Sequence, residues 1–120
     1  MSAKILIVDD EDDTRNCLTI MLNCAGYTTL EAKDGVEGLE QVQANHPDLI
    51  LSDITMPNLD GIEMVRRVRQ MPEGRQVPIL VMSAYGMGRL TEAVVAGADD
   101  ALLKPLSFDS LIQAVQNMVR

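Results

Sequence analysis

Five short aliphatic runs punctuate the chain: Lys4–Val8, Thr28–Ala32, Leu49–Asp53, Val77–Met82 and Ala101–Leu103. Turn-forming residues bound each run, and the longer segments between them repeat their apolar positions at helical period. Cys17/Leu18, Met21/Leu22 and Ala25 follow the i, i+3, i+4, i+7 rule and stop at Gly26, predicting a helix over 13–25. Val36, Leu39, Val42 and Gln43 predict a second helix that closes before His46-Pro47. Asp60 with Glu63 makes a capping-box-like start for a third through Ile62, Val65 and Val68. A fourth runs loosely from Gly88 to Ala96. The last takes Ser107 as its cap, Leu106 and Leu111 as a hydrophobic staple, and places Leu111, Ile112, Val115, Met118 and Val119 on one face.

Five strand-then-helix units in succession imply parallel strands joined by right-handed crossovers, with helices on both faces of the sheet. Near-continuous strands such as ILIV and ILVM agree, because only strands buried on both faces can be apolar throughout. The predicted fold is α/β, a doubly wound five-stranded parallel sheet, for which 2-1-3-4-5 is one of the common strand orders. In such a sheet ligands sit at the carboxyl ends of the strands, beside the point where strand order reverses. Residues 9–13, 53–60, 83–88 and 104–105 are therefore where chemistry is to be sought.

Composition narrows the function classes. One hundred and twenty residues suit one domain, and 10 basic against 18 acidic side chains leave a net charge of −8. A surface of that sign repels phosphate backbones and anionic lipid, which argues against direct nucleic-acid binding. Three aromatics (Tyr27, Tyr85, Phe108) and no Trp cannot assemble a base-stacking platform. No apolar run approaches the ~20 residues of a membrane helix and no signal-peptide pattern opens the chain, so the expected location is the cytoplasm. Cys17 and Cys24 would stand ~10 Å apart along one helix, beyond the ~7 Å Cα limit of a disulfide. They are expected to be free thiols serving as small buried hydrophobes. His46, the only histidine, precedes a proline and reads as a loop residue, and Arg66, Arg67 and Arg69 read as a solvated basic face.

At the strand ends stand Asp9-Asp10-Glu11 after the first run, Asp53 after the third, Ser83 after the fourth and Lys104-Pro105 after the fifth. Three carboxylates converging in one pocket ask for a cation, since each like-charged pair at ~4 Å costs on the order of 4 kcal/mol at an effective dielectric near 20. Oxygen ligands without thiol or paired imidazole favour Mg²⁺ or Mn²⁺. A carboxylate nucleophile (Asp53), a hard cation, a hydroxyl (Ser83) and an ammonium (Lys104) together make a phosphoryl-transfer site. Any one of these residues alone is more simply a cap, a turn former or a solvated charge. Four strand ends with complementary roles are not explained that way.

V-D-D-E at 8–11, D-I-T-M-P-N-L-D-G at 53–61, M-S-A at 82–84, A-G-A-D-D at 96–100 and K-P at 104–105 resemble the response-regulator receiver domain, over essentially the whole chain. The resemblance implies a flavodoxin-like sandwich in which Asp53 accepts a phosphoryl group from a histidine kinase, a phosphotransfer protein or a small phosphodonor. It implies that Asp10 and Asp53 ligate Mg²⁺ with the Thr55 backbone carbonyl, and that Asp9 acts through water. Ser83 would bond one phosphoryl oxygen and Lys104 another, the Lys104-Pro105 bond would be cis, and Thr55 and Tyr85 would line solvent access to the site. It further implies an effector-binding face on the fourth helix, fifth strand and fifth helix, which would equally serve a homodimer. One departure stands out: the aromatic the family commonly has three residues before the lysine is Ala101. The usual hydroxyl–aromatic switch is thereby lost, and Gly86 and Gly88 soften the loop after Ser83, so activation is expected to work through reordering of residues 84–96.

Three rivals share features. A flavodoxin-like mononucleotide binder needs a Gly/Ser/Thr-rich phosphate loop where this chain has Asp9 to Asp13. A haloacid-dehalogenase-type phosphatase is spelled by Asp10-x-Asp12-x-Thr14 but leaves Asp53, Ser83 and Lys104 without roles. A degenerate, non-phosphorylated receiver is at odds with a complete acceptor set. The expectation is a single receiver domain over 1–120 with no output domain, not an enzyme beyond its own Mg²⁺-dependent phosphorylation and dephosphorylation.

Overall fold

A computed structural model describes residues 3–84 and 87–119. Its elements in chain order are β1 (Lys4–Val8), α1 (Asp12–Cys24), β2 (Thr28–Ala32), α2 (Gly35–Asn45), β3 (Leu49–Asp53), α3 (Gly61–Gln70), a 3-10 turn at Pro72–Gly74, β4 (Ile79–Ser83), α4 (Met87–Ala96), β5 (Asp100–Leu103) and α5 (Phe108–Met118). All strand pairings are parallel and the order is β2-β1-β3-β4-β5. The five parallel strands are those the hydrophobic pattern predicts, and their order is that of the flavodoxin-like sandwich the resemblance implies.

Side-chain alternation along the central strands divides the core into two layers. Ile5, Ile7, Leu49, Leu51, Leu80 and Met82 pack with Leu18 and Leu22 of α1 and Leu111 and Val115 of α5. Leu6, Val8, Ile50, Ile79 and Val81 pack on the other side with Val42, Val65, Val68, Leu90 and Ala93 from α2, α3 and α4. Strands covered on both faces can be aliphatic at every position, which is why these runs stand out in the sequence.

Three helix starts are fixed by side-chain caps. Asp34, Asp60 and Ser107 accept from the backbone N–H of Glu37, Glu63 and Ser110 respectively. The staple residues Leu106 and Leu111 join one core layer, as does the α5 face predicted at Ile112, Val115, Met118 and Val119.

Four expectations need correction. Strand β4 runs over Ile79–Ser83 rather than 77–82, because Pro78 has no N–H for the ladder; its carbonyl alone takes part, accepting from Ile50 N at 2.9 Å. The buried stripe of α2 is Gly35, Gly38 and Val42, and both Val36 and Gln43 face solvent. The helix is rotated so because a Cβ at Gly38 would stand 2.7 Å from Met64 Sδ and 3.3 Å from Val8 Cγ2, so the backbone itself lies against the core. Cys17 and Cys24 are free, as expected, but exposed; α1 turns Leu18 and Leu22 inward, and each cysteine lies off that stripe. Arg69 is not part of a solvated face. Its guanidinium donates to the carbonyls of Gly97 (3.0 Å), Gly74 (3.0 Å) and Val77 (2.6 Å) and pairs with Asp99 at 2.8 Å. Arg66 and Arg67 are exposed and pair with Glu63, and His46 is an exposed left-handed cap of α2 with φ 48°. Among the described residues no helix is long and apolar enough to cross a membrane.

Candidate functional site

The register Val8↔Ser52 between β1 and β3 carries the chain on to Asp9 and Asp53 side by side at the carboxyl edge of the sheet. Asp9 is fully buried and Asp53 nearly so, while Asp10 is exposed. Carboxylate oxygens of Asp9, Asp10 and Asp53 lie within 4.8 Å of one another. Lys104 answers part of this charge. Its ammonium stands 3.3 Å from Asp9 Oδ2 and 3.3 Å from Asp53 Oδ2, placed there by the Lys104 N–H, which donates to Ser83 O at 2.9 Å. The following Lys104-Pro105 bond is cis. Ser83, at the end of β4, is buried.

The remaining oxygens have defined partners. Asp9 Oδ1 accepts from Glu11 N and Asp53 Oδ1 from Ile54 N. Burial raises the pKa of Asp53; Lys104 pulls it down and Asp9 pushes it up, and the net direction is upward. Burial works against the Lys104 ammonium, but the carboxylates of Asp53 and Asp9 outweigh it and raise its pKa. The ammonium is therefore charged at neutral pH, and one positive charge faces three acids.

That surplus fits a divalent cation. Opposite oxygens around Mg²⁺ lie about 4.2 Å apart at ~2.1 Å from the metal, close to the 4.8 Å spread of the three acids. All the donors are oxygens, the set that suits Mg²⁺ or Mn²⁺. Thr55 stands exposed two residues beyond Asp53. Tyr85, predicted to line the site, lies outside the described residues.

The loop after Asp53 is held from two sides. Gly61 N donates to Ile54 O at 2.7 Å, and a Cβ at Gly61 would stand 2.2 Å from Asp53 O, so only glycine admits this approach. Asp34, buried at the start of α2, accepts from Asn58 Nδ2 at 2.9 Å. Hydrogen bonds from Glu37 N and then Asn58 hold its carboxyl below the ordinary value. The sequence reading did not single out Asp34, although its D-x-x-E spacing to Glu37 is a cap signal. Nor did it single out Arg89, which pairs with Asp60 at 3.1 Å.

One concavity borders the site and a second lies at the α4–β5 edge. The first, about 530 Å³, runs between α1 (Thr14, Cys17, Met21) and the segment Lys104–Leu106. The other, about 570 Å³, lies between Leu90 and Val94 of α4 and Ala101–Leu103 of β5, where the small Ala101 leaves room that an aromatic ring would fill. Asp12, the second acid of the phosphatase-like D-x-D-x-T, has an 80% exposed side chain paired with Arg15, away from this cluster.

The response regulator receiver domain model matches residues 5–116. The response regulator MprA of Mycobacterium ulcerans is 39% identical over 121 residues, covering 100% of this chain and 51% of that protein. The chain thus spans about half the length of the curated relatives it matches. Among solved structures, the Vibrio cholerae chemotaxis protein CheY4 superposes with a TM-score of 0.94 at 32% identity, covering 99% of this chain and 100% of that one. The receiver domain of the sensor histidine kinase PA1611 from Pseudomonas aeruginosa, solved with a magnesium ion coordinated in its active-site cleft, superposes at 0.92 with 29% identity, 98% of each chain covered. Sequence match, strand order and acidic pocket agree, and this chain belongs to the response regulator receiver domain family of two-component signalling.

Proposed function

We propose that the chain is a phosphorylation-activated switch whose acceptor is Asp53. The observation that carries this reading is the buried Asp53 carboxylate grouped with the Lys104 ammonium and the carboxylates of Asp9 and Asp10. The carboxylate attacks the phosphorus of a phosphohistidine or of a small acyl phosphate, the new P–O bond forming as the bond to the donor breaks. Lys104 offsets charge on one transferring oxygen, and Ser83, at the neighbouring strand end, donates to another. Asp9, Asp10, Asp53 and the Thr55 carbonyl would hold Mg²⁺, with Mn²⁺ as an alternative, Asp9 through water. That cation supplies charge neutralisation for the transferring phosphoryl. The chain performs this chemistry only on itself and is not otherwise an enzyme.

Partners follow from the same reading. A histidine kinase or phosphotransfer protein supplies the phosphoryl group in the cytoplasm. The α4–β5–α5 face, with Val94, Leu103 and Phe108 exposed, binds an effector or a second copy. The test is incubation with acetyl phosphate and Mg²⁺ followed by intact-mass measurement. One phosphoryl adduct is expected, which does not form when chelator replaces Mg²⁺ or in Asp53→Asn. No adduct under saturating donor identifies a non-phosphorylated interaction module, and turnover of many equivalents of a phosphomonoester identifies a phosphatase.

A further inference from the structure

We infer that the Arg89–Asp60 ion pair is a latch that holds the first turn of α4 in its unphosphorylated position and is broken when Asp53 is phosphorylated. The inference rests on Asp53 being the acceptor and concerns how that site is coupled to the α4 face.

Both ends of the latch connect to the acceptor. Asp60 Oδ1 caps α3 through Glu63 N, and its other oxygen, Oδ2, accepts from Arg89 Nη2 at 3.1 Å. The next residue is Gly61, whose N–H donates to Ile54 O and where a Cβ would stand 2.2 Å from Asp53 O. Asp60 is thus fixed to the backbone of the acceptor. Arg89 lies six residues beyond Ser83 in the sequence, so α4 follows closely on a strand end beside Asp53 while its Arg89 is tied to Asp60. A movement of Ser83 toward a phosphoryl oxygen would pull on the start of α4, and the Arg89–Asp60 pair opposes that movement.

Two further observations favour release over rigid retention. Arg89 Nε is buried yet has no acceptor among the described residues, so only part of the guanidinium is satisfied in this position. And Ala101 carries no ring that could transmit the change to α4; it leaves an open groove beneath Leu90 and Val94 instead. The route that remains is the ion pair, which ties α4 to the acceptor loop.

Because both side chains are about 40% exposed, the pair is worth a modest shift, roughly two- to five-fold in a two-state equilibrium. Linkage fixes the sign: a contact made only in the unphosphorylated position weakens binding of anything that requires the other position. Arg89→Gln and Asp60→Asn remove the pair, and Asn retains the cap of α3. Each variant is titrated with beryllofluoride and Mg²⁺, with affinity read by NMR and amide exchange read over residues 87–96. Both are expected to bind the phosphoryl mimic roughly two- to five-fold more tightly than the parent and to exchange faster in α4 before it is added. The double variant should do no more than either single, and Arg89→Lys should stay near the parent.

A merely structural tether would speed exchange without changing affinity, so unchanged or weaker binding in both variants overturns the latch. Failure of the parent itself to bind the mimic would overturn the acceptor assignment, and the latch with it. The two failures are therefore told apart by the parent's titration.

Discussion

Neutralising the acceptor should stabilise the metal-free protein. At the 4.8 Å limit of their separation, Asp53 and each of its two acidic neighbours repel by about 3.5 kcal/mol at an effective dielectric of 20. Lys104 at 3.3 Å returns about 5 kcal/mol on the same scale. Repulsion exceeds attraction by about 2 kcal/mol, before the desolvation of a carboxylate that is only 7% exposed is counted. Solvent around the exposed Asp10 reduces the first figure, so Asp53→Asn is expected to raise unfolding free energy by about 1–2 kcal/mol and the melting temperature by about 4–8 °C. The sign is consistent with burial holding the Asp53 carboxyl above its ordinary value. A raised folded-state pKa means that the protonated form favours the fold, so stability from this group is present at low pH and lost as pH rises through the folded value. The gap between variant and parent must therefore be open at neutral pH and close on acidification. Melts in chelator across pH 4–8 measure it directly. Mg²⁺ tenfold above its dissociation constant should add about 1.4 kcal/mol to the parent and markedly less to the variant. A variant less stable than the parent in chelator, or one stabilised equally by Mg²⁺, would refute the electrostatic reasoning.

Other substitutions test the scaffold. Gly61→Ala should cost about 2–3 kcal/mol in urea unfolding, because its methyl would overlap the Asp53 carbonyl, and should slow adduct formation as the loop shifts. Arg69→Ala, which frees three backbone carbonyls and Asp99, should lose at least ~2 kcal/mol, with Lys recovering under half of it. Both cysteines should react with a chromogenic disulfide reagent in the native protein without denaturant, since each is exposed; protection of either until unfolding would contradict the orientation of α1.

How far the sequence reveals this molecule depends on the range of the interaction. Strands β1 and β4 announce themselves because burial on both faces makes Ile5–Val8 and Ile79–Met82 apolar throughout. The acceptor set is legible because a parallel sheet places every strand end on one edge, so Asp9, Asp53, Ser83 and Lys104 need only their positions in the chain to be brought together. Helix faces are less determinate. The doublet Cys17/Leu18 fits two neighbouring stripes, and only packing selects Leu18. In α2 the inward face is marked by glycines, which a search for apolar side chains overlooks. Least legible are contacts that bridge elements: Asn58 with Asp34, Arg89 with Asp60 and Arg69 with Asp99 join residues 24, 29 and 30 positions apart. Their pairing depends on how helices lie on the finished sheet, and no local pattern encodes it.

The central claim is that one carboxylate, Asp53, receives the phosphoryl group. Borohydride reduces an aspartyl phosphate to homoserine, so treating the phosphorylated protein and sequencing its peptides by mass spectrometry reads the acceptor directly. Homoserine at position 53, present only when donor and Mg²⁺ are both supplied, is the result expected. Homoserine at position 9 or 10, or at none, would contradict the account.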